Sequence, residues 1–218
     1  MIDRDRSPLL VVGTGDHAHV ILEAIRAGGG HVAGFLEVDG DSVHRDHWCE
    51  LPVLGNLTAS LGWRDGIANG EFIVGIGDNR VRAKAYQLAL ALGLKPATVV
   101  HPTATLLEGC VVGAGSQVCA RAVVGVRATV GINTIVNTAA TIDHDNVLGD
   151  HVSVGPGAHL AGRVAVGPFT HIGISASVNE GLTVGTSCLV AAGAAVIADV
   201  PDGTRVAGVP ARAMTEAR

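Results

Sequence analysis

Aromatic residues are scarce in this chain. Phe, Trp and Tyr make up 3% of its 218 residues, and Asp, Glu, Lys and Arg together make up 16%. This shortage excludes a core packed on large rings. With 48% hydrophobic residues and 30 glycines, the composition instead favours a thin, regular core of small aliphatic side chains. The length allows one large domain or two small ones.

Charge, apolar runs and cysteine spacing exclude further classes of protein. The formal net charge is −5 and no basic run occurs, which argues against a nucleic-acid or anionic-membrane partner. No apolar stretch reaches the roughly 18 residues of a membrane helix, and the charged residues 3–6 are not typical of a signal peptide. The four cysteines show no CxxC spacing, so neither a zinc knuckle nor a disulfide framework is predicted, and a cytoplasmic location is expected.

A six-residue repeat occupies the second half of the chain. Every sixth residue from Val100 to Val196 is Leu, Ile or Val, at all 17 positions. The next residue is often Gly, and the fourth residue after the aliphatic is mostly small, as at Ala122 and Ala158. A period of six predicts a short strand and a corner, with three such units closing one coil of a parallel β-helix. We expect the aliphatics to point inward, and the glycines to provide unusual backbone dihedral angles at the corners.

Residues 8–95 lack this period and predict an alternating α/β unit. The apolar run Leu9–Val12 predicts a buried strand, a helix follows from Val20 to about Ala27, and a second strand covers Val32–Leu36. Between the first strand and the helix lies a G-x-G-x-x-A pattern at residues 13–18, and acids follow the second strand. This arrangement is typical of nucleotide binding at a helix N-terminus. A tight turn that only needs glycine is the alternative.

A later segment repeats the strand-then-helix pattern. Residues 72–77 predict another strand, and Asp78 or Asn79 is suited to cap a helix that runs to about Leu92.

His144 differs from the other histidines because carboxylates flank it. It lies two residues after the inward Ile142, at a corner on the outer surface, between Asp143 and Asp145. A carboxylate bonded to one imidazole nitrogen fixes the tautomer and raises the basicity of the other nitrogen. Either aspartate can serve, and a solvated corner is the alternative. Six other histidines are expected to be ordinary loop, domain-junction or surface residues: His44, His47, His101, His151, His159 and His171.

The combination of these motifs resembles the hexapeptide-repeat sugar-nucleotide acetyltransferases, the pilin-glycan and sialic-acid O-acetyltransferase-like group. The resemblance rests on residues 13–18, Gly-Ile-Gly-Asp-Asn-Arg at 75–80, the stretch 137–149 and the tail at 206–212. It implies a Rossmann-like sugar-nucleotide-binding domain over 1–99, followed by a left-handed parallel β-helix over 100–218. It also implies homotrimers that hold acyl-CoA between neighbouring helices.

The resemblance also assigns roles to residues. His144 is implied as the general base and Asp145 as the residue that tunes it. Residues implied to contact the sugar nucleotide are Gly13, Gly15, Asp16, His17, Glu37, Asp39, Gly77, Asp78, Asn79 and Asn137. Residues implied to line the CoA site are Ser153, Gly155, Gly173, Ile174, Ala191 and Ala192. Some relatives carry a second His where this chain has Ser153, which puts that one CoA contact in doubt.

The implied activity is transfer of acetyl from acetyl-CoA to the C4 amine of a nucleotide-linked 4-amino-4,6-dideoxy sugar, with GDP-perosamine as the first expectation and no metal. Alternatives within the group are a UDP-linked 4-amino sugar and the hydroxyl of a sialic acid. Outside the group, the β-helix also suits a zinc hydratase of the carbonic anhydrase type, with His144, His151 and His171 as ligands, or a scaffold without catalysis.

Overall fold

The computed structural model describes residues 9–38, 46–58 and 70–214 of the chain. The chain divides into two compact units, Met1–Pro102 and Thr103–Arg218. The N-terminal unit contains β1 (Leu9–Val12), α1 (Asp16–Ala27), β2 (Val32–Glu37), β3 (His47–Trp48), β4 (Leu51–Asn56), β5 (Glu71–Val74), α2 (Asn79–Ala91), β6 (Lys95–Pro96) and β7 (Val99–Val100).

The sheet of the N-terminal unit has the order β3-β4-β2-β1-β5-β6, and all its pairings are parallel except β3 with β4. Strand β1 pairs with β2 on one side and with β5 on the other. The strand order therefore reverses at β1: the chain first places β2 along one edge of β1 and later places β5 along the opposite edge. Such a switch point opens a crevice at the carboxyl ends of the two strands, where ligands bind in open α/β sheets.

Two boundaries differ from those that the sequence predicted. Helix α1 begins at Asp16, four residues early, because Gly15 acts as its N-cap without needing a side-chain hydrogen bond. Strand β5 ends at Val74 rather than at Gly77. The carbonyls of Ile76 and Gly77 accept hydrogen bonds from the Arg82 guanidinium, at 3.3 and 2.9 Å, instead of continuing a strand. The predicted cap is confirmed: Asp78 accepts from the N–H groups of Arg80 and Val81.

The C-terminal unit is a three-sided parallel solenoid. Its first face contains β10 (Gln117–Val118), β13 (Ile135–Val136), β16 (Ser153–Val154), β19 (His171–Ile172), β22 (Leu189–Val190), β24 (Arg205–Ala207) and β25 (Arg212–Ala213). Its second face contains β8 (Thr105–Leu106), β11 (Val123–Val124), β14 (Thr141–Ile142), β17 (His159–Leu160), β20 (Ser177–Val178) and β23 (Ala195–Val196). Its third face contains β9 (Val111–Val112), β12 (Thr129–Val130), β15 (Val147–Leu148), β18 (Ala165–Val166) and β21 (Thr183–Val184).

Each coil consists of three of the six-residue units, so a residue and its equivalent on the next coil are neighbours in space. Ile142, for example, pairs with Val124 on the coil before it and with Leu160 on the coil after it. The inward aliphatics from Val118 to Val196 are buried, as predicted. Leu106 is 43% exposed because β8 pairs on one side only, with β11. The predicted fold class, a Rossmann-like α/β domain followed by a left-handed parallel β-helix, is confirmed.

The expected reason for the repeat glycines is wrong. Positive φ angles occur three residues after the inward aliphatic, mostly at non-glycine residues such as Arg127 (56°) and Asp145 (57°). The glycines directly after the aliphatics do not adopt such angles. A Cβ on Gly125 would instead lie 2.5 Å from the carbonyl carbon of Asp143 on the next coil. These positions are glycine because adjacent coils approach closely there.

Candidate active site

The corner between β14 and β15 brings His144 and Asp145 into contact. His144 Nδ1 lies 2.8 Å from Asp145 Oδ2, and the two side chains are 41% and 33% exposed. Asp143 does not reach the ring, because its Oδ1 accepts from the backbone N–H of His144 at 2.7 Å. Of the two flanking carboxylates, Asp145 therefore contacts the imidazole. A carboxylate on Nδ1 places the proton there and leaves Nε2 as the basic nitrogen.

Arg127, on the preceding coil, binds the same carboxylate. Its Nε lies 2.7 Å from Asp145 Oδ1 and its Nη2 lies 2.8 Å from Asp145 Oδ2. These hydrogen bonds, with that from His144, lower the pKa of Asp145 to about 2. Asp145 is therefore ionised at every pH near neutrality, and its charge is available to an imidazolium on His144.

Two further residues shape this corner, and the sequence analysis did not assign either. Asn146 is buried, and its Nδ2 donates to the carbonyls of Asp143 (2.8 Å) and Ala161 (2.9 Å), while its Oδ1 accepts from Val164 N. Gly162 lies one coil after His144, and a Cβ there would overlap the imidazole ring. Asn146 thus fixes the backbone of the corner, and Gly162 leaves space for the ring.

The residues predicted to line the CoA site stack at a different corner. Gly155, Gly173 and Ala191 follow the first-face strands on three successive coils, and Ile174 and Ala192 come next to them. Ser153 is a buried residue of β16. Asn137 begins this same column, one coil before Gly155, and its Oδ1 accepts from Thr138 N at 2.8 Å. The structure therefore groups Asn137 with the predicted CoA residues and not with the corner of His144.

A groove on the second face reaches the His144 corner at Asp143. Its volume is about 520 Å³. It is lined by Thr141, Asp143, His159, Leu160, Ala161, Ser177, Val178, Asn179, Ala195, Val196 and Ile197. Thr141 Oγ1 and His159 Nδ1 are 2.8 Å apart within it. His159 is exposed, as predicted, and it lies in this groove.

A second cavity, of about 300 Å³, lies in the N-terminal unit at the carboxyl ends of β1 and β5. It is lined by Gly13, Thr14, Gly15, Asp16, His17, Val38, Gly75, Ile76, Gly77, Asp78 and Val81. Six of the predicted sugar-nucleotide residues are among them. Glu37 and Asn79 are not: both are buried, and Asn79 Oδ1 accepts from Arg82 Nη2 at 2.8 Å. Asp39 lies outside the described residues.

The glycines of this cavity fall into two groups. Gly13 has a φ of 107°, and a Cβ on Gly75 would lie 2.8 Å from Ala18 Cα, so the fold itself requires both. An added Cβ at Gly15 or Gly77 would meet no atom of the described residues within 4 Å apart from the local backbone and chain neighbours, and neither glycine has a positive φ. Protein packing among the described residues does not explain these two glycines. Glycine at such positions is what allows a ligand to approach the backbone closely.

Arg82 binds the loop that lines this cavity, and no sequence pattern indicated that role. Its side chain is fully buried, and burial lowers its pKa to about 10. It therefore stays charged at neutral pH and binds the carbonyls of Ile76 and Gly77, two residues that line the cavity. A buried cation of this kind fixes the loop after β5.

His151 corrects another expectation. It is not a surface residue but only 7% exposed; its Nδ1 lies 2.9 Å from Asn133 Nδ2, and its ring stacks on Phe169 at 4.9 Å. Both neighbours lie one coil away. Within the described residues, no group of three His, Cys, Asp or Glu side chains is arranged to hold a metal ion. No helix in that part of the chain is long and apolar enough to span a membrane.

Comparison with known proteins agrees with the fold. Residues 8–89 match the PglD N-terminal domain family. A variant of perosamine N-acetyltransferase from Caulobacter crescentus, solved with CoA and GDP-perosamine, is 32% identical over 96% of this chain and 98% of its own, with a TM-score of 0.90. The acetyltransferase domain of PglB from Neisseria gonorrhoeae, solved with acetyl coenzyme A, is 34% identical over 95% and 98%, with a TM-score of 0.86.

WeeI from Acinetobacter baumannii shares the fold at 22% identity, over 95% of this chain and 99% of its own, with a TM-score of 0.84. No curated protein sequence matches the chain.

These matches define a hexapeptide-repeat acyltransferase. The chain belongs to the family of CoA-dependent sugar N-acetyltransferases that carry a PglD N-terminal domain. The predicted family, enzyme class and acetyl-CoA co-substrate are thereby confirmed. This membership argues against the zinc hydratase and the scaffold.

Proposed function

We propose that this enzyme acetylates the C4 amine of a nucleotide-linked 4-amino-4,6-dideoxy sugar, with GDP-perosamine as the preferred acceptor. The observation that carries the proposal is the His144–Asp145 contact, which leaves imidazole Nε2 unpaired among the described residues and basic. The resemblance to an enzyme solved with CoA and GDP-perosamine supports the choice of acceptor.

The reaction needs one proton acceptor and no covalent intermediate on the protein. The C4 amine nitrogen attacks the thioester carbonyl carbon, and His144 Nε2 takes a proton from that nitrogen as the tetrahedral intermediate forms. The C–S bond then breaks and CoA leaves as a thiolate, which recovers the proton from His144. Asp145 stabilises the imidazolium in between. General-base assistance of this kind contributes roughly 10²–10⁴-fold to the rate.

Nucleotide binding is proposed for the cavity at residues 13–17 and 75–78. Backbone N–H groups at the N-terminus of α1 favour a pyrophosphate. Gly15 and Gly77 leave room for close approach. Asp16 and His17 would contact the ribose or the base. No residue of the cavity distinguishes guanine from uracil by itself, so a UDP-linked 4-amino sugar remains the second candidate.

We further propose that Ser153, Gly155, Gly173, Ile174, Ala191 and Ala192 contact CoA and that the enzyme acts as a homotrimer. The stacking of Gly155, Gly173 and Ala191 in one column of the solenoid, with Ile174 and Ala192 directly after them, supports the first part. Light scattering coupled to size exclusion tests the second, since a monomer in solution would contradict it.

The acceptor is tested by the rate of CoA release with a panel of amino sugars. We expect kcat/KM for GDP-perosamine to exceed that for a UDP-linked 4-amino-4,6-dideoxy sugar by at least tenfold, and free sialic acid to be inactive. A higher kcat/KM for the UDP-linked sugar would overturn the preference for guanine. Turnover of sialic acid alone would overturn N-acetylation altogether.

A further inference from the structure

The column of corner residues that contains Asp145 carries alternating charge. Arg127, Asp145 and Arg163 occupy the same position on three successive coils, each three residues after an inward aliphatic, and each has a φ between 56° and 60°. The two arginines are therefore equivalent in backbone and in register, one coil before and one coil after Asp145. They differ in their partners.

Arg127 forms a bidentate salt bridge with Asp145, whereas Arg163 forms a salt bridge with Glu180. The Arg127 contacts are 2.7 and 2.8 Å long and use both carboxylate oxygens. Arg163 Nη2 binds Glu180 Oε2 at 3.1 Å, and its backbone N–H donates to the carbonyl of His144. Only Arg127 thus touches the carboxylate that orients the imidazole.

The shared oxygen makes the contact significant. Asp145 Oδ2 accepts from both Arg127 Nη2 and His144 Nδ1. A guanidinium that grips both carboxylate oxygens in one plane stops the carboxylate from rotating. The orientation of the imidazole therefore depends on Arg127 through Asp145.

We propose that Arg127 is a positioning residue: it locks the Asp145 carboxylate against His144, so that both the rate plateau and the acidic limb of the kcat–pH profile depend on Arg127. The proposal rests on the role of His144 as general base. It concerns a residue whose side chain hydrogen-bonds to Asp145 and not to the imidazole itself.

The charges around His144 determine the sign of the effect. Asp143 and Asp145 lie on its own corner, Glu108 and Arg127 on the two preceding coils, and Arg163 and Glu180 on the two following ones. The directly stacked neighbours Val126 and Gly162 are uncharged. Asp145 stays ionised above a pH of about 2, so it does not titrate in an assay near neutrality. These four acids and two arginines already sum to −2, and removing the Arg127 charge makes the sum −3, so we expect the acidic limb of the activity profile to move to higher pH.

The test is the pH dependence of kcat in Arg127→Gln, Arg127→Lys and Arg163→Gln, each checked for folding by thermal denaturation. For Arg127→Gln we expect the acidic limb to move to higher pH by about half a unit or more, and the plateau to fall several-fold. For Arg127→Lys we expect the acidic limb to stay near its wild-type position, because lysine keeps the positive charge. The plateau should fall as in Arg127→Gln, because lysine lacks the planar guanidinium that binds both carboxylate oxygens. Arg163→Gln, at the matched corner, should behave as wild type.

Two results would overturn the proposal. One is an Arg127→Gln profile that overlays the wild type, and the other is an equal shift in Arg163→Gln. The failure of the underlying function looks different: the wild-type enzyme would then acetylate none of the amino sugars, and no profile would exist to shift.

Discussion

The two units of this enzyme form their sites in different ways. In the solenoid, the spatial neighbours of a residue are found by counting one coil forward or back in the sequence. His144 lies beside Val126 and Gly162 because each of them is one full coil away. In the N-terminal unit, the cavity forms where two loops leave the ends of β1 and β5, and nothing in the spacing of residues 13–17 and 75–78 brings them together. A regular repeat positions side chains by its register, whereas an α/β sheet positions them by its strand order.

This contrast predicts which kind of damage each unit suffers. A change in the solenoid corner should alter the chemical step and spare sugar-nucleotide binding. A change in the N-terminal cavity should do the reverse.

The largest effect is expected for His144→Ala. Loss of the general base should lower kcat by roughly 10²–10⁴-fold. The side chain is partly exposed at a corner, so stability should change little. Stopped-flow release of CoA gives kcat, and calorimetric titration with GDP-perosamine gives the affinity. Near wild-type turnover would remove His144 from the mechanism, and equal loss of affinity would break the division between the units.

Gly162→Ala should come next. Its Cβ would overlap the imidazole ring of His144, and a displaced base can cost up to about 10²-fold in rate. Because the overlapping group is the His144 side chain, which can rotate away, we expect the melting temperature to stay at the wild-type value.

Gly125→Ala is the matched control for that variant. Its Cβ meets the backbone of Asp143 on the next coil, which cannot give way, so we expect a clear drop in melting temperature. If Gly162→Ala destabilises the protein as much as Gly125→Ala does, the glycine serves packing and not the ring.

The smallest effect is expected in the N-terminal cavity. Gly15→Val adds a branched side chain at a position that lines the cavity, where a Cβ meets no atom of the described residues within 4 Å beyond the local chain, in backbone that any residue can adopt. We expect the KM for the sugar nucleotide to rise about tenfold, equivalent to about 1.4 kcal/mol, with kcat at saturation and melting temperature unchanged. An unchanged KM would mean that the nucleotide binds elsewhere.

The sequence predicted most of the solenoid and less of its site. The six-residue period indicated the strands and the inward residues, and the Asp-His-Asp cluster at 143–145 was recognisable as a candidate base from the residue types alone. Arg127, Gly162 and the buried His151 were missed, although each follows from the length of one coil: Asn133, His151 and Phe169 form one column. Asn146 also had a signal, because an amide at the small inward position needs hydrogen-bonding partners.

The N-terminal unit offered fewer such signals. Glu37 lies at the end of strand β2, as a ribose-binding acid does, yet it is buried and does not line the cavity. Arg82 is one arginine among several charged residues on α2, and only the three-dimensional path of residues 76 and 77 gives it carbonyls to bind. Those contacts depend on tertiary structure, which no local pattern records.

The central claim is that the solenoid transfers acetyl to an amine on a sugar whose nucleotide is held by the N-terminal unit. Its most direct test is the structure of the product formed from acetyl-CoA and GDP-perosamine, determined by mass spectrometry and proton NMR. The account predicts one acetyl group per CoA released, attached as an amide at C4, with the protein unmodified. An acetyl ester on a sugar hydroxyl, or CoA release without an acetylated sugar, would contradict it.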